Sequence, residues 1–259
     1  MSDRKVLKIA FRERLHSKRF LLPNLVTLCN MFCGFLAATY SANGNYGKAA
    51  IAIFIAIILD GLDGRVARRF NATSKFGVEF DSFSDLVSFG VAPAILMYHW
   101  SFKTVAPDFG VIMCFLFVLC SACRLARFNI AHDNLQTFTG LPTPGAAAVV
   151  ASIVYLMPDA APSNLGIILS SIICITISYL MVCNIPFFSI KTIRLENFSL
   201  RWRIIFGVLI GLLWYDSSLA IITLAISYAA SGPVMAVFGT GLKNKKQVSA
   251  ENQVKSEVA

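Results

Sequence analysis

Between Asp60 and Asp85 the chain places four aspartates, Asp60, Asp63, Asp81 and Asp85, inside or beside two very apolar segments. Inserting one aspartate at the centre of a membrane costs roughly 2.5–3.5 kcal/mol, so four uncompensated ones would cost on the order of 10 kcal/mol. A fold that keeps them must neutralise them, and a bound cation does so most directly. Asp60 and Asp63 stand at i and i+3 and share one helix face; Asp81 and Asp85 stand at i and i+4 and share a face of the next helix. Two antiparallel neighbours would bring all four carboxylates around hard, oxygen-seeking ions such as Mg2+ or Mn2+. Four negative charges balance two divalent cations, the arrangement that clamps displacement at phosphorus.

The residues between them fit that chemistry. Gly64 and Ala67 continue the stripe that starts at Asp60 and leave it nearly bare of side chain, so a substrate or a helix can come close. Arg68 ends the stripe and adds a positive charge suited to a pyrophosphate. The connecting loop, Phe70 to Phe76, holds Ser74 and Lys75. Asp60-x-x-Asp63-Gly64-x-x-Ala67-Arg68, eight residues, then Gly77-x-x-x-Asp81-x-x-x-Asp85 resembles the full signature of the CDP-alcohol phosphatidyltransferase family. The resemblance implies a six-helix membrane core and a two-metal site in which Asp60, Asp63, Asp81 and Asp85 are ligands. It also implies that Asp85 is the general base, and that Thr27, Gly64, Arg68 and Ser74 contact CDP-diacylglycerol.

Composition agrees with a membrane protein. Of 259 residues 56% are hydrophobic and only 14% charged, against about a quarter charged in soluble domains. The apolar residues concentrate in runs that read as an all-α, polytopic bundle of about eight transmembrane helices. These begin near Leu21, Lys48, Gly77, Phe109, Ala146, Leu165, Ile204 and Ser218, with Pro93 expected to bend the third. Residues 1–20 form a basic segment suited to the membrane surface, 21–238 the transmembrane domain, and 239–259 a polar tail expected to be disordered. With eight spans and both termini in the cytoplasm, nearly every Lys and Arg falls on the inner side of the cell membrane. That topology, derived from loop charges, puts all four aspartates at one depth near the cytoplasmic headgroups. The net charge of +9 then reflects topology and anionic lipid, not nucleic acid.

Three further stretches, DSFSDLVSFGVAP (81–93), RLARFN (124–129) and GLPTPGAAA (140–148), resemble the branch of the family that uses L-serine as its acceptor alcohol. Arg124 and Arg127, at i and i+3, suit a serine carboxylate; their simpler role is as cations at a helix C-terminus. Glycerol 3-phosphate or inositol phosphate are alternative acceptors, with Lys75 and Lys191 as extra cations. An intramembrane cation transporter is the alternative from another class, but it favours acids at the midplane and an internal repeat, and no repeat is visible. The seven cysteines all lie in apolar runs and read as packing residues, and the three histidines form no ligand cluster. Asn24, Thr27 and Asn30, at three-residue steps, suit helix–helix hydrogen bonds. Gly207 and Gly211 form a GxxxG that makes a homodimer the expected assembly.

Overall fold

A computed structural model describes residues 24–69, 75–130, 140–159 and 164–183, together with Thr223 and Ala229; of 64–69 and 75 it describes the backbone. Among the described residues the chain is all-helical, without strands. The helices are α1 (Asn24–Ala42), α2 (Tyr46–Arg69), α3 (Lys75–Asp85), α4 (Ala92–Met97), α5 (Pro107–Ile130), α6 (Thr143–Leu156) and α7 (Asn164–Val182). Four segments are long and apolar enough to cross a membrane: Asn24–Ala42, Phe76–Phe102, Pro107–Ile130 and Asn164–Val182. With the family assignment below, they make this an integral membrane protein. The expected seventh helix, the eighth apart from Thr223 and Ala229, the basic N-terminal segment, the C-terminal tail and the GxxxG pair lie outside the described residues. Thr223 and Ala229 are helical, and Ala229 packs against the core.

The third expected span is not one regular helix. Two π-helical turns, Leu86–Val91 and Tyr98–Phe102, flank α4. The Ala92 N–H bonds the Val87 carbonyl five residues back, just ahead of Pro93, which has no N–H to offer. The wide turn therefore takes up the break that the proline imposes. A second difference lies at GLPTPG, expected as a stiff loop before a helix starting near Ala146 or within Pro144–Gly145. Instead α6 begins at Thr143, with Pro142 extended at its N-cap (ψ 143°) and Pro144 inside the first turn. A first-turn residue has no intrahelical acceptor for its N–H, so proline there costs nothing.

Burial in α1 is inverted relative to a soluble amphipathic helix. Leu25, Leu28, Phe32 and Phe35 are exposed, whereas Thr27, Asn30, Gly34, Ala37 and Ser41 are buried. That is the pattern expected where lipid covers the apolar face and small or polar residues let helices approach. Helix α6 has the opposite character, apolar on every side and central. Its Ala147, Ala151 and Val154 join one core with α1, α2 and Phe89; its Ala146, Val149 and Val150 join a second with α5 and α7. At 14 residues it is about 21 Å long, too short for a hydrocarbon layer of about 30 Å, and it acts as the pillar between the two cores. At the end remote from the aspartates, the Tyr46 hydroxyl donates to the His99 carbonyl (2.9 Å) and Trp100 Nε1 to the Met157 carbonyl (2.9 Å). These bonds pin α2, the rod through Phe102, and α6 in register.

Candidate active site

The last turns of α2 and the first turns of α3 carry the carboxylates, and α1 lies across both. Asp60, Asp63 and Asp81 each offer an oxygen within 4.8 Å of the others. Asp85 stands beside this trio, near enough to feel the charge of each. The helical spacing thus does bring the four together. Two unit charges 4.8 Å apart repel by about 3 kcal/mol at an effective dielectric near 20, before solvent screening. Asp63 is 5% exposed, so screening is least effective there. The cluster accordingly calls for cations.

The donor chemistry fits a divalent metal. All ligating atoms are hard carboxylate oxygens. Asp81 Oδ1 and Asp85 Oδ1 are shut off from solvent, and neither has a protein hydrogen-bond partner among the described residues. Buried carboxylate oxygens without donors are costly unless something positive meets them. Asp60, Asp63 and Asp81, with Asp85 beside them, are the residues that would hold it.

Helix α1 sets the register of this site. Thr27 Oγ1 donates to Asp63 Oδ2 (3.4 Å), and Thr27 itself is 5% exposed. Ser84 Oγ donates to the Thr27 carbonyl (3.0 Å), and one turn on Ser88 Oγ donates to the Asn30 carbonyl (2.9 Å). Gly34 continues this seam: a Cβ there would lie 2.7 Å from Ser88 Cα. Thr27 is therefore both a helix–helix residue, as its periodicity suggests, and a direct partner of one carboxylate.

The arginines share a face of α5 but serve different neighbours. Arg124 is 9% exposed; its Nη1 donates to Thr143 Oγ1 (3.3 Å), and its charge reaches Asp85. Arg127 Nη1 donates to the Val182 carbonyl (2.9 Å) and Nη2 to the Met181 carbonyl (3.4 Å), at the C-terminus of α7. So the helix-terminus role holds for Arg127, on a helix other than its own, while Arg124 donates to the start of α6. Gly64 and Arg68 fall in the last turns of α2, while Ser74 lies outside the described residues.

Several residues here gave no sign of a role in the sequence. Thr143 is one; Ser84 and Ser88, at i and i+4 in the DSFSDLVSFG stretch, are others. Asn129 is a fourth, its Nδ2 donating to Ser82 Oγ (3.0 Å) to tie α5 to α3. All fall inside the three stretches singled out beyond the signature, which was the available signal.

Residues 20–183 match the family described as CDP-alcohol phosphatidyltransferase. The CDP-diacylglycerol–serine O-phosphatidyltransferase of Helicobacter pylori is 44% identical over 142 residues, 53% of this chain and 58% of that protein. The protein of the same name from Bacillus subtilis is 38% identical over 185 residues, covering 70% of this chain and 98% of its own length. The archaetidylserine synthase of Methanothermobacter thermautotrophicus is 38% identical over 171 residues, 64% of this chain and 69% of its own. The match thus spans little more than half of the Helicobacter protein and nearly all of the Bacillus one.

Proposed function

Because the chain belongs to the CDP-alcohol phosphatidyltransferase family, we propose that it transfers the phosphatidyl group of CDP-diacylglycerol to the hydroxyl of L-serine, giving phosphatidylserine and CMP. The observation that carries this reading is the cluster of Asp60, Asp63 and Asp81, whose carboxylate oxygens lie within 4.8 Å of one another, with Asp85 beside it. Asp60, Asp63, Asp81 and Asp85 hold two divalent cations, Mg2+ or Mn2+, which when bound neutralise the pyrophosphate and the departing CMP. Asp85 takes the proton of the serine hydroxyl as that oxygen forms its bond to the phosphorus bearing diacylglycerol. The bond from this phosphorus to the CMP oxygen breaks, and CMP leaves as a phosphate monoester. Gly64 lets the nucleotide approach the backbone of α2, and Arg68 and Ser74 bind the pyrophosphate. Thr27 orients Asp63. Arg124 takes the serine carboxylate, since the hydrogen bonds of Arg127 go to α7.

The same reading extends to the whole chain. The catalytic domain runs over 21–238 with eight spans, and both termini lie on the cytoplasmic side of the cell membrane. The site sits at the headgroup boundary, where a lipid nucleotide and a water-soluble alcohol meet. Two copies pair through Gly207 and Gly211.

The test is CMP release by the purified protein in detergent micelles with CDP-diacylglycerol and Mg2+ or Mn2+. L-serine, glycerol 3-phosphate and inositol phosphate are compared in parallel. Release with serine alone, abolished by chelation and by Asp85→Asn while nucleotide binding persists, is the expected result. Release only with a phosphorylated alcohol overturns the acceptor, and release with none of the three overturns the reaction. Near-normal turnover in Asp85→Asn removes the proton-accepting role from Asp85.

A further inference from the structure

The start of the GLPTPG segment is anchored to the end of α7, and the reaction above assigns the segment no task. Gly140 has φ +83°, and a Cβ on it would lie 2.5 Å from the Met181 carbonyl oxygen and 3.0 Å from Arg127 Nη2. The next residue, Leu141, is fully buried, and its N–H donates to the Leu180 carbonyl (2.8 Å). Pro142 and Pro144 remove two backbone freedoms on either side of Thr143. The loop is thereby clamped to the end of α7, and its position is set before α6 begins.

Thr143 stands at the first position of α6 and is 1% exposed. A threonine at a helix start commonly caps the helix, but here the N-cap is Pro142 and no side chain caps the turn. The hydroxyl instead accepts from Arg124 Nη1 (3.3 Å). A guanidinium is planar, so a hydrogen bond at one nitrogen fixes the direction in which the others point. Arg124 is itself buried, and its charge also reaches Asp85. Thr143 thus ties this cation to the start of α6.

We propose that Thr143 is a positioning residue for the acceptor alcohol: it holds Arg124 where the guanidinium meets the acceptor's carboxylate, and the anchored GLPTPG segment fixes Thr143 itself. The inference rests on serine being the acceptor. Without the hydroxyl, Arg124 loses this tie and the carboxylate of serine loses its preformed site. The lipid nucleotide, bound through α2 and α3, is unaffected.

The experiment measures KM and kcat for L-serine and KM for CDP-diacylglycerol in wild type, Thr143→Val and Thr143→Ser, with melting temperature alongside. Thr143→Val is expected to raise the KM for serine about tenfold or more, the scale of a lost hydrogen bond to a charged group. Its kcat and its KM for CDP-diacylglycerol stay near wild type, and Thr143→Ser restores the serine KM. An unchanged serine KM in Thr143→Val overturns the inference, as does a fall in kcat and melting temperature with KM preserved, which marks a structural role. If the valine variant does not fold, Thr143→Ala, which adds no bulk, carries the same expectation. A wild type that releases no CMP with serine sinks the acceptor reading and this inference together; a serine-active wild type with an indifferent Thr143→Ala or Thr143→Val sinks this inference alone.

Discussion

Gly34→Ala tests whether the seam between α1 and the Ser84–Ser88 segment positions the site. The added Cβ would stand 2.5 Å from Ser88 Oγ and 2.7 Å from Ser88 Cα. Carbon atoms rest at about 3.5–4.0 Å, so the helices must part by about 1 Å at this level. Rotating the serine hydroxyl away does not help, because the backbone carbon is nearly as close and cannot rotate. The Ser88–Asn30 and Ser84–Thr27 hydrogen bonds, at 2.9 and 3.0 Å, would stretch towards 4 Å, where they cease to count as hydrogen bonds. Overpacking of this kind costs about 1–3 kcal/mol. The functional loss is larger, because Thr27 moves off Asp63 and a misplacement of about 1 Å lowers rates by on the order of a hundredfold. The assay is metal-dependent CMP release with a parallel thermal melt in detergent. The expected result is a lower melting temperature and a rate reduced tenfold to a hundredfold, about the range that such a displacement implies. Adding Ser88→Gly takes away the serine side chain but leaves the backbone of residue 88 in the way, so it should recover only part of the loss. Wild-type rate and melting in Gly34→Ala would falsify the argument, and complete rescue by Ser88→Gly would place the clash in the side chain and not the backbone.

Two further predictions concern the far side of the site. Arg127→Gln leaves the Val182 and Met181 carbonyls without their charged donor, so it should lower stability by about 1–3 kcal/mol with little change in the KM for serine. A serine KM raised as much as in an Arg124 variant would instead give Arg127 a share in acceptor binding. Gly140→Ala combines a left-handed backbone with a Cβ driven into the Met181 carbonyl. It should destabilise the protein by more than the roughly 1–2 kcal/mol of the backbone conformation alone, read as a melting shift larger than that of Arg127→Gln.

Much of this site is legible in the amino-acid sequence. The i, i+3 and i, i+4 spacings of Asp60, Asp63, Asp81 and Asp85 survive folding because a helix fixes which residues share a face, whatever surrounds it. The membrane character is likewise a property of long apolar runs, and the four candidate spans follow from composition and length. Periodicity could not reveal the π turns around α4: the first depends on the missing N–H of Pro93, and both on neighbours that accept a widened turn. It also placed the start of α6 late, because GLPTPG reads as a turn until Pro142 and Pro144 are seen to fit a helix's cap and first turn.

The division between Arg124 and Arg127 marks the boundary most clearly. Their spacing put both on one face of α5 and left each suited to a carboxylate or to a helix end. Only the packing of α6 and α7 against that face separated them, giving Arg124 the Thr143 hydroxyl and Arg127 the carbonyls that end α7. Local sequence determines which side chains travel together along a helix, because that geometry is set by backbone hydrogen bonds within a few residues. Which partner each side chain meets is decided by packing between segments tens of residues apart, and those meetings exist only once the helices have come together.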